Sequence, residues 1–268
     1  QTAPANAAQT VQTGLHGGIV ADGTGRGSGG SGSPSPAGSE GSAAESGGAG
    51  GPSPSDAGGS PTPSGDSFDL TVMATTDIHG HAYNWDYFRD QPYPQGRVRK
   101  LGMARAATII ENARKSKPKG SVLVVDNGDA IQGTPLTYVA AKRPQLLQGR
   151  THPMAEAFNN VGYDAQALGN HEFNYGLDVL RSYGAQLKAP LLGANVVKAG
   201  TETPAFTPYT LIDRTIGGKR VKIGVVGLVT PGVRVWDRAV VDGKLEFRDP
   251  VVTAQKYVPQ MKARGADV

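Results

Sequence analysis

Three short apolar runs in this sequence each end in a polar cluster: "FDLTVMATT" leads into "DIHGH", "SVLVV" into "DNGD", and "DAQAL" into "GNHE". Alternating or β-branched runs of this length read as strands. Segments of helical period separate them. In "GMARAATIIENARKSK", Met103, Ala107, Ile110 and Arg114 recur at helical spacing, and Pro118 with Gly120 stops the helix. In "HPMAEAFNNVG", Met154, Phe158 and Val161 face inward in the same way. Strands alternating with helices predict an α/β architecture around a mainly parallel sheet, with the polar clusters gathered at one edge, where open sheets of this kind place their chemistry.

Downstream, "LDVLRSYGAQL" reads as a further helix and "APLLGANVV" as a fourth strand. The segment "YTLIDRTIGGKRVKIGVVGLVTP" reads as a hairpin turned at Gly217 and Gly218, which suggests a second sheet or a mixed edge. Asp249 and Pro250 suit the cap and first turn of a helix with Val251, Ala254, Val258 and Met261 on one face. After Gly265, "ADV" starts another strand.

None of this pattern precedes Phe68. Residues 1–67 are almost entirely Gly, Ser, Ala, Pro and Thr. Such a stretch buries too little apolar surface to offset its ordering entropy, so it predicts a disordered tether before one folded unit at 68–268. About 200 residues are ample for a core. The tether carries Arg26 against Asp22, Glu40, Glu45, Asp56 and Asp66, so the positive balance lies in the folded part. A basic domain suits anionic ligands such as phosphates; "RVRK" at 97–100 reads as a solvated face, not a nucleic-acid patch. With no cysteine, disulfides, thiolate metal sites and cysteine nucleophiles are excluded. No apolar run approaches the ~20 residues needed to span a bilayer. A Ser/Gly/Pro tether at the N-terminus is what remains once an export signal is removed, so we expect an exported protein, whether extracellular, wall-associated or periplasmic.

The polar clusters bring Asp77 and His79, then Asp129, then Asn170 and His171 to the ends of successive strands. Carboxylate, imidazole and amide without thiolate favour ions such as Mn, Fe, Zn or Mg, and a carboxylate on a central strand, as Asp129 would be, can bridge two of them. Two such ions activate water at neutral pH and neutralise a phosphoryl group. Taken singly, Asp77, Asp129 and Asn170 read equally well as turn or cap residues, and His171 as a structural imidazole. His81 is expected to be a loop residue near the cleft, His152 a helix-entry residue, and His16 part of the tether. Glu172 is expected to face away and anchor its turn. For Trp85, Tyr87 and Phe88, core packing of at least two competes with stacking on a base.

The blocks "TTDIHGH", "NGDAIQGTPL" and "LGNHEFNYGLD" resemble the first three blocks of the calcineurin-like metallophosphoesterases, within the 5'-nucleotidase family. "WDYFRDQPY", "SVLVVDNGD", "TPYTLI" and "YVPQMKARGADV" extend the resemblance over nearly all of 70–268, nearest to the branch of bacterial bifunctional 2',3'-cyclic-nucleotide 2'-phosphodiesterases/3'-nucleotidases. The resemblance implies a four-layer α/β/β/α sandwich and two divalent ions drawn from Mn, Zn, Fe, Co or Mg. It makes Asp77 and His79 ligands of the first ion, Asp129 the bridge, Asn170 a ligand of the second, and His171 the group at the leaving oxygen. It implies hydrolysis of 2',3'-cyclic nucleotides and 3'-nucleotides. The alternatives are a 5'-nucleotidase or nucleotide-sugar hydrolase of the same fold, and a surface module that binds metal without catalysis. Two departures stand out. Asn174 occupies a position where the 5'-nucleotidase branch carries a carboxylate that pairs with the histidine, and an amide cannot hold an imidazolium charge as a carboxylate does. No histidine follows His171, so the resemblance implies the N-terminal portion of a catalytic domain, without the last ligand blocks and the C-terminal nucleotide-binding domain.

Overall fold

The computed structural model describes residues 67–93 and 101–268 in full and the backbone of 6–14 and 18–20. In chain order the strands are β1 (Asn6–Gly14), β2 (Gly18–Val20), β3 (Leu70–Thr76), β4 (Trp85–Asp86), β5 (Gln91–Pro92), β6 (Val122–Asp126), β7 (Ala165–Ala167), β8 (Leu191–Leu192), β9 (Val196–Lys198), β10 (Tyr209–Ile216), β11 (Lys219–Val226) and β12 (Leu245–Phe247). The helices are α1 (Met103–Ser116), α2 (Pro135–Lys142), α3 (Pro153–Val161), α4 (Leu177–Gln186), α5 (Val233–Trp236), α6 (Arg238–Val241) and α7 (Pro250–Ala263).

The main sheet has the order β2-β1-β3-β6-β7-β8, and β3, β6, β7 and β8 run parallel. Period two assigns the strand side chains to two cores. Met73, Val122 and Val124 join the larger core with Met103 and Ile110 of α1, Met154 and Phe158 of α3, and Leu180 and Tyr183 of α4. Leu70 and Leu123 turn the other way, onto Ile216, Val221 and Ile223 of the β10–β11 hairpin. The hairpin alternates too. Its intervening residues meet α7, with Gly224 beneath Met261 and the Lys222 ammonium donating to the carbonyl of Arg264. The four layers, helices, sheet, hairpin and helix, are therefore the expected α/β/β/α sandwich, each with its own buried apolar interface.

Several local expectations hold for the stated reasons. Pro118 and Gly120 follow α1, which ends at Ser116. The hairpin turns at Gly217 and Gly218, both at positive φ as the turn requires. Asp249 caps α7, its carboxylate accepting from Val252 N–H at 2.9 Å. His152 caps α3 through Nδ1, which accepts from Met154 N–H, as befits a helix-entry residue. The strand expected at "ADV" does not form: 266–268 have no regular structure, although Asp267 N–H donates to Lys222 O and Gly224 N–H to Val268 O along the hairpin edge.

Other expectations need correction. Within 1–67, read above as a disordered tether, the described backbone is that of 6–14, which forms β1 antiparallel to β3, and of 18–20, which forms β2; the rest of that stretch lies outside the described residues. Segment 6–14 is Asn, Ala, Gln, Thr, Val and a single Gly, a composition averaged away when it is pooled with the Gly/Ser tract that follows. "APLLGANVV" is two strands: β8 ends in the main sheet, and β9 pairs antiparallel with β12. Asn195 marks the break, its side chain bonding to Val229 N–H, Val229 O and Arg248 O. The buried face of α7 is Thr253, Tyr257 and Met261, while Val251 is 64% exposed, because Tyr257 packs its ring against Tyr209 at 5.7 Å. Of the aromatic trio, Phe88 is 85% exposed and Trp85 and Tyr87 are half-buried, so none enters the core. Their segment is a two-residue ribbon, β4 on β5, too short to bring a buried face of its own. The "RVRK" cluster and His16 lie outside the described residues.

A polar network crosses the main sheet behind its C-terminal edge. The buried Asp126 carboxylate accepts from Thr75 Oγ1 at 2.6 Å, Gln166 Nε2 at 2.8 Å and Gly128 N–H at 2.9 Å. Tyr183 donates to Gln166 Oε1, and Tyr163 bonds Thr75 Oγ1. Burial outweighs these donors and pushes the Asp126 carboxyl up to about 7. A carboxyl whose pKa is raised on folding stabilises the fold fully below its unfolded value and loses that contribution as pH rises through the folded value. Metal-free protein should therefore lose stability between about pH 4 and 7, by on the order of a few kcal/mol from this group. In Asp126→Asn, whose amide can serve the same three partners, urea midpoints should depend less on pH and lie higher than native above pH 7.

Candidate metal centre

The strand-end loops are held in unusual backbone conformations. Asp77, His79 and Asp129 have φ of 54°, 48° and 59°, the left-handed region that residues with a Cβ rarely adopt, Asn, Asp and His more readily than the rest. Each such residue costs on the order of 1–3 kcal/mol unless its surroundings hold it there. The surroundings do. Asp77 N–H donates to Gly128 O, His79 N–H to Asp129 O and Gly80 N–H to Ala130 O, at 2.8–3.0 Å, so the β3 loop is laced to the β6 loop.

The β6 loop is tied in turn to the β7 loop. Glu172, fully buried, accepts from Asp129 N–H at 2.8 Å, Ala130 N–H at 2.6 Å and Gly169 N–H at 2.7 Å. Asp129 Oδ1 accepts from His171 N–H at 2.7 Å. The loops approach so closely that a Cβ on Gly128 would lie 2.2 Å from Gly169 N, and one on Gly169 would lie 2.3 Å from Asp129 Oδ1. Glycine is required at both positions. Burial and the Asp129 charge raise the Glu172 carboxyl, against the pull of the three N–H donors. Burial also raises Asp129, opposed by the His171 N–H, with Asp77 adding repulsion.

This lacing brings together residues from three strand ends. His79, Asp129 and His171 each present a ligand atom, and the three atoms lie within 4.8 Å of one another. Asp77 Oδ1 is 3.5 Å from His79 Nε2. His79 Nδ1 is 2.9 Å from Gln132 O, and since a carbonyl only accepts, Nδ1 carries the proton and the Nε2 lone pair is left for the site. The rings of His79 and His171 meet edge to face at 4.9 Å. Asn170 begins the 3₁₀ turn that holds His171, half-buried. This donor set of imidazole and carboxylate fits a divalent cation of the Mn, Zn, Fe or Mg type. Of the remaining candidates, His81 is a half-buried turn residue beside His79, and Glu172 faces inward and ties the turn, as expected.

His171 Nδ1 is 2.6 Å from Asn174 Oδ1, so the amide does occupy the partner position. Asn174 Nδ2 then donates to Asp237 Oδ1 at 2.8 Å. Sequence reasoning missed Asp237: it lies 63 residues from Asn174, in a segment with no motif.

No family model matches the chain. Individual proteins do. The 2',3'-cyclic-nucleotide 2'-phosphodiesterase/3'-nucleotidase of Haemophilus influenzae is 47% identical over 206 residues, 75% of this chain and 30% of that protein. The crystal structure of the calcineurin-like phosphoesterase YfkN from Bacillus subtilis superposes with a TM-score of 0.67 at 38% identity, covering 74% of this chain and 60% of that one. Over about three quarters of its length the chain is similar to calcineurin-like phosphoesterases. A 5'-nucleotidase of Vibrio parahaemolyticus is more distant, 30% identical over 198 residues, 73% of this chain and 31% of that protein. The chain thus spans less than a third of the curated relatives it matches.

The clasp gives a direct test. Glu172→Ala leaves three backbone N–H groups unpaired, at about 1–3 kcal/mol each, so urea denaturation should show a loss of at least about 3 kcal/mol. Glu172→Gln keeps one acceptor oxygen and should lose less. Calorimetric titration with Mn²⁺ should weaken in the same order.

Proposed function

We propose that this chain carries the metal-binding half of a phosphoesterase site that hydrolyses nucleotide phosphoesters, opening 2',3'-cyclic nucleotides and removing 3'-phosphate. The observation that supports it most is the meeting of His79, Asp129 and His171 within 4.8 Å, on loops from three successive parallel strands. Asp77 and His79 would hold one divalent ion, Asp129 would bridge to a second, and Asn170 would ligate that second ion. When bound, the ions supply Lewis acidity and an activated water. Asp129 orients the turn as well, through its bond to His171 N–H. His171, with its Nδ1–H engaged by Asn174, leaves Nε2 as the nitrogen that can take up a proton from solvent and, as the imidazolium, give it to the leaving oxygen.

The substrate class rests on the name of the Haemophilus relative, whose 47% identity exceeds the 30% of the 5'-nucleotidase. The 5'-nucleotidase reading remains the competitor. Phosphate release from 2',3'-cyclic AMP, 3'-AMP and 5'-AMP, by the protein carrying this segment at the length of those relatives, separates the two: turnover confined to 5'-AMP overturns the proposal. The Gly/Ser/Pro-rich stretch before Phe68 suits an exported protein, and no helix among the described residues is long and apolar enough to cross a membrane.

Two expectations follow from the ligand set. No histidine follows His171, so a second ion would be held here by Asp129 and Asn170 alone, and the chain by itself should turn over bis-p-nitrophenyl phosphate only in trace. In the longer protein at saturating Mn²⁺, Asp129→Asn should lower kcat more than Asp77→Asn, since it removes the carboxylate placed to reach both ions; equal losses would argue against a bridge.

A further inference from the structure

Asp237 occupies the N-cap position of α6, where an aspartate ordinarily accepts from its own helix, yet its side chain makes no capping bond. It is 8% exposed, and its Oδ2 has no hydrogen-bond partner. Its Oδ1 is 2.8 Å from Asn174 Nδ2. A nearly buried carboxylate that gives up its helix cap and keeps one amide as donor is not explained by stability, because leaving such a group under-satisfied is unfavourable.

The explanation lies in what the contact does to the amide. A carboxylate only accepts, so the group facing Asp237 must be Asn174 NH₂; the flipped amide would set its oxygen against the carboxylate. Asn174 Oδ1 is thereby turned to His171 Nδ1, 2.6 Å away, and an amide oxygen also only accepts. Nδ1 must then carry the proton. We infer that Asp237 is a positioning residue for His171: acting through Asn174, it fixes the Nδ1–H tautomer and leaves Nε2 as the nitrogen that takes up a proton and gives it up on the side of the site. This rests on the reading of His171 as the group at the leaving oxygen, and it places a carboxylate one amide further from the imidazole than in the 5'-nucleotidase branch.

The tautomer can be read without metal or substrate. In ¹⁵N-labelled, chelator-treated chain at a pH where the imidazole is neutral, two-bond ¹H–¹⁵N correlations distinguish Nδ1–H from Nε2–H, and a His171→Gln spectrum assigns the signal. The native protein should show the Nδ1–H pattern alone. Asp237→Ser keeps a helix-starting residue but withdraws the carboxylate, and should give a mixture in which Nε2–H appears. Asp237→Asn retains a carbonyl acceptor and should restore the native pattern. A native spectrum containing Nε2–H overturns the inference whatever the variants do. So does an Asp237→Ser spectrum identical to native, even with a lowered melting temperature, since that is the mark of a purely structural residue. Failure to hydrolyse nucleotides would refute the proposed function and leave this spectrum unchanged.

Discussion

One buried carboxylate, that of Glu172, holds two strand-end loops at a fixed separation. Its three N–H donors come from Asp129 and Ala130 on one loop and Gly169 on the other. Because the β3 loop is laced to the β6 loop by backbone bonds, the same carboxylate also places Asp77 and His79 indirectly. The left-handed conformations at these positions are held by the backbone bonds from Asp77, His79 and Gly80 to Gly128, Asp129 and Ala130. The site is built on main chain, and the ligand side chains inherit their geometry from it.

Charge works against this arrangement as much as for it. Asp77, Asp129, Glu172 and Asp126 crowd the same edge of the sheet, and burial raises the last three. Glu172 is compensated by backbone dipoles and Asp126 by Thr75, Gln166 and Gly128. Asp129 has the His171 N–H and the attraction of the His171 and His79 imidazoles, against repulsion from Asp77. Asp129 therefore stands among imidazoles with another carboxylate close by, a grouping that a cation would relieve.

Legibility from sequence followed the range of the physics involved. β3, β6 and α1 were readable because apolar periodicity is local, and the Gly217–Gly218 turn because its φ requirement is local as well. The helix α2 carries a local start signal, Thr134 as cap and Pro135 in the first turn, but its eight residues span too few turns for apolar periodicity to mark it. The division of "APLLGANVV" between two sheets depends on where Asn195 finds partners on distant segments, and no local pattern carries that. For the site, residue types at three strand ends were enough to nominate Asp77, His79, Asp129 and His171. Asp237 was invisible because its role exists only once α6 is folded against the 3₁₀ turn.

The left-handed backbone at Asp77 and Asp129 restricts which residues can replace them. Asparagine tolerates that region nearly as well as aspartate, whereas glutamate and β-branched residues do not. Changes at these positions that keep the loop intact therefore exchange a carboxylate for an amide of the same shape. The loop conformation thus lets the formal charge of the centre be altered in single units without moving a ligand atom, so metal preference can drift while the scaffold stays still.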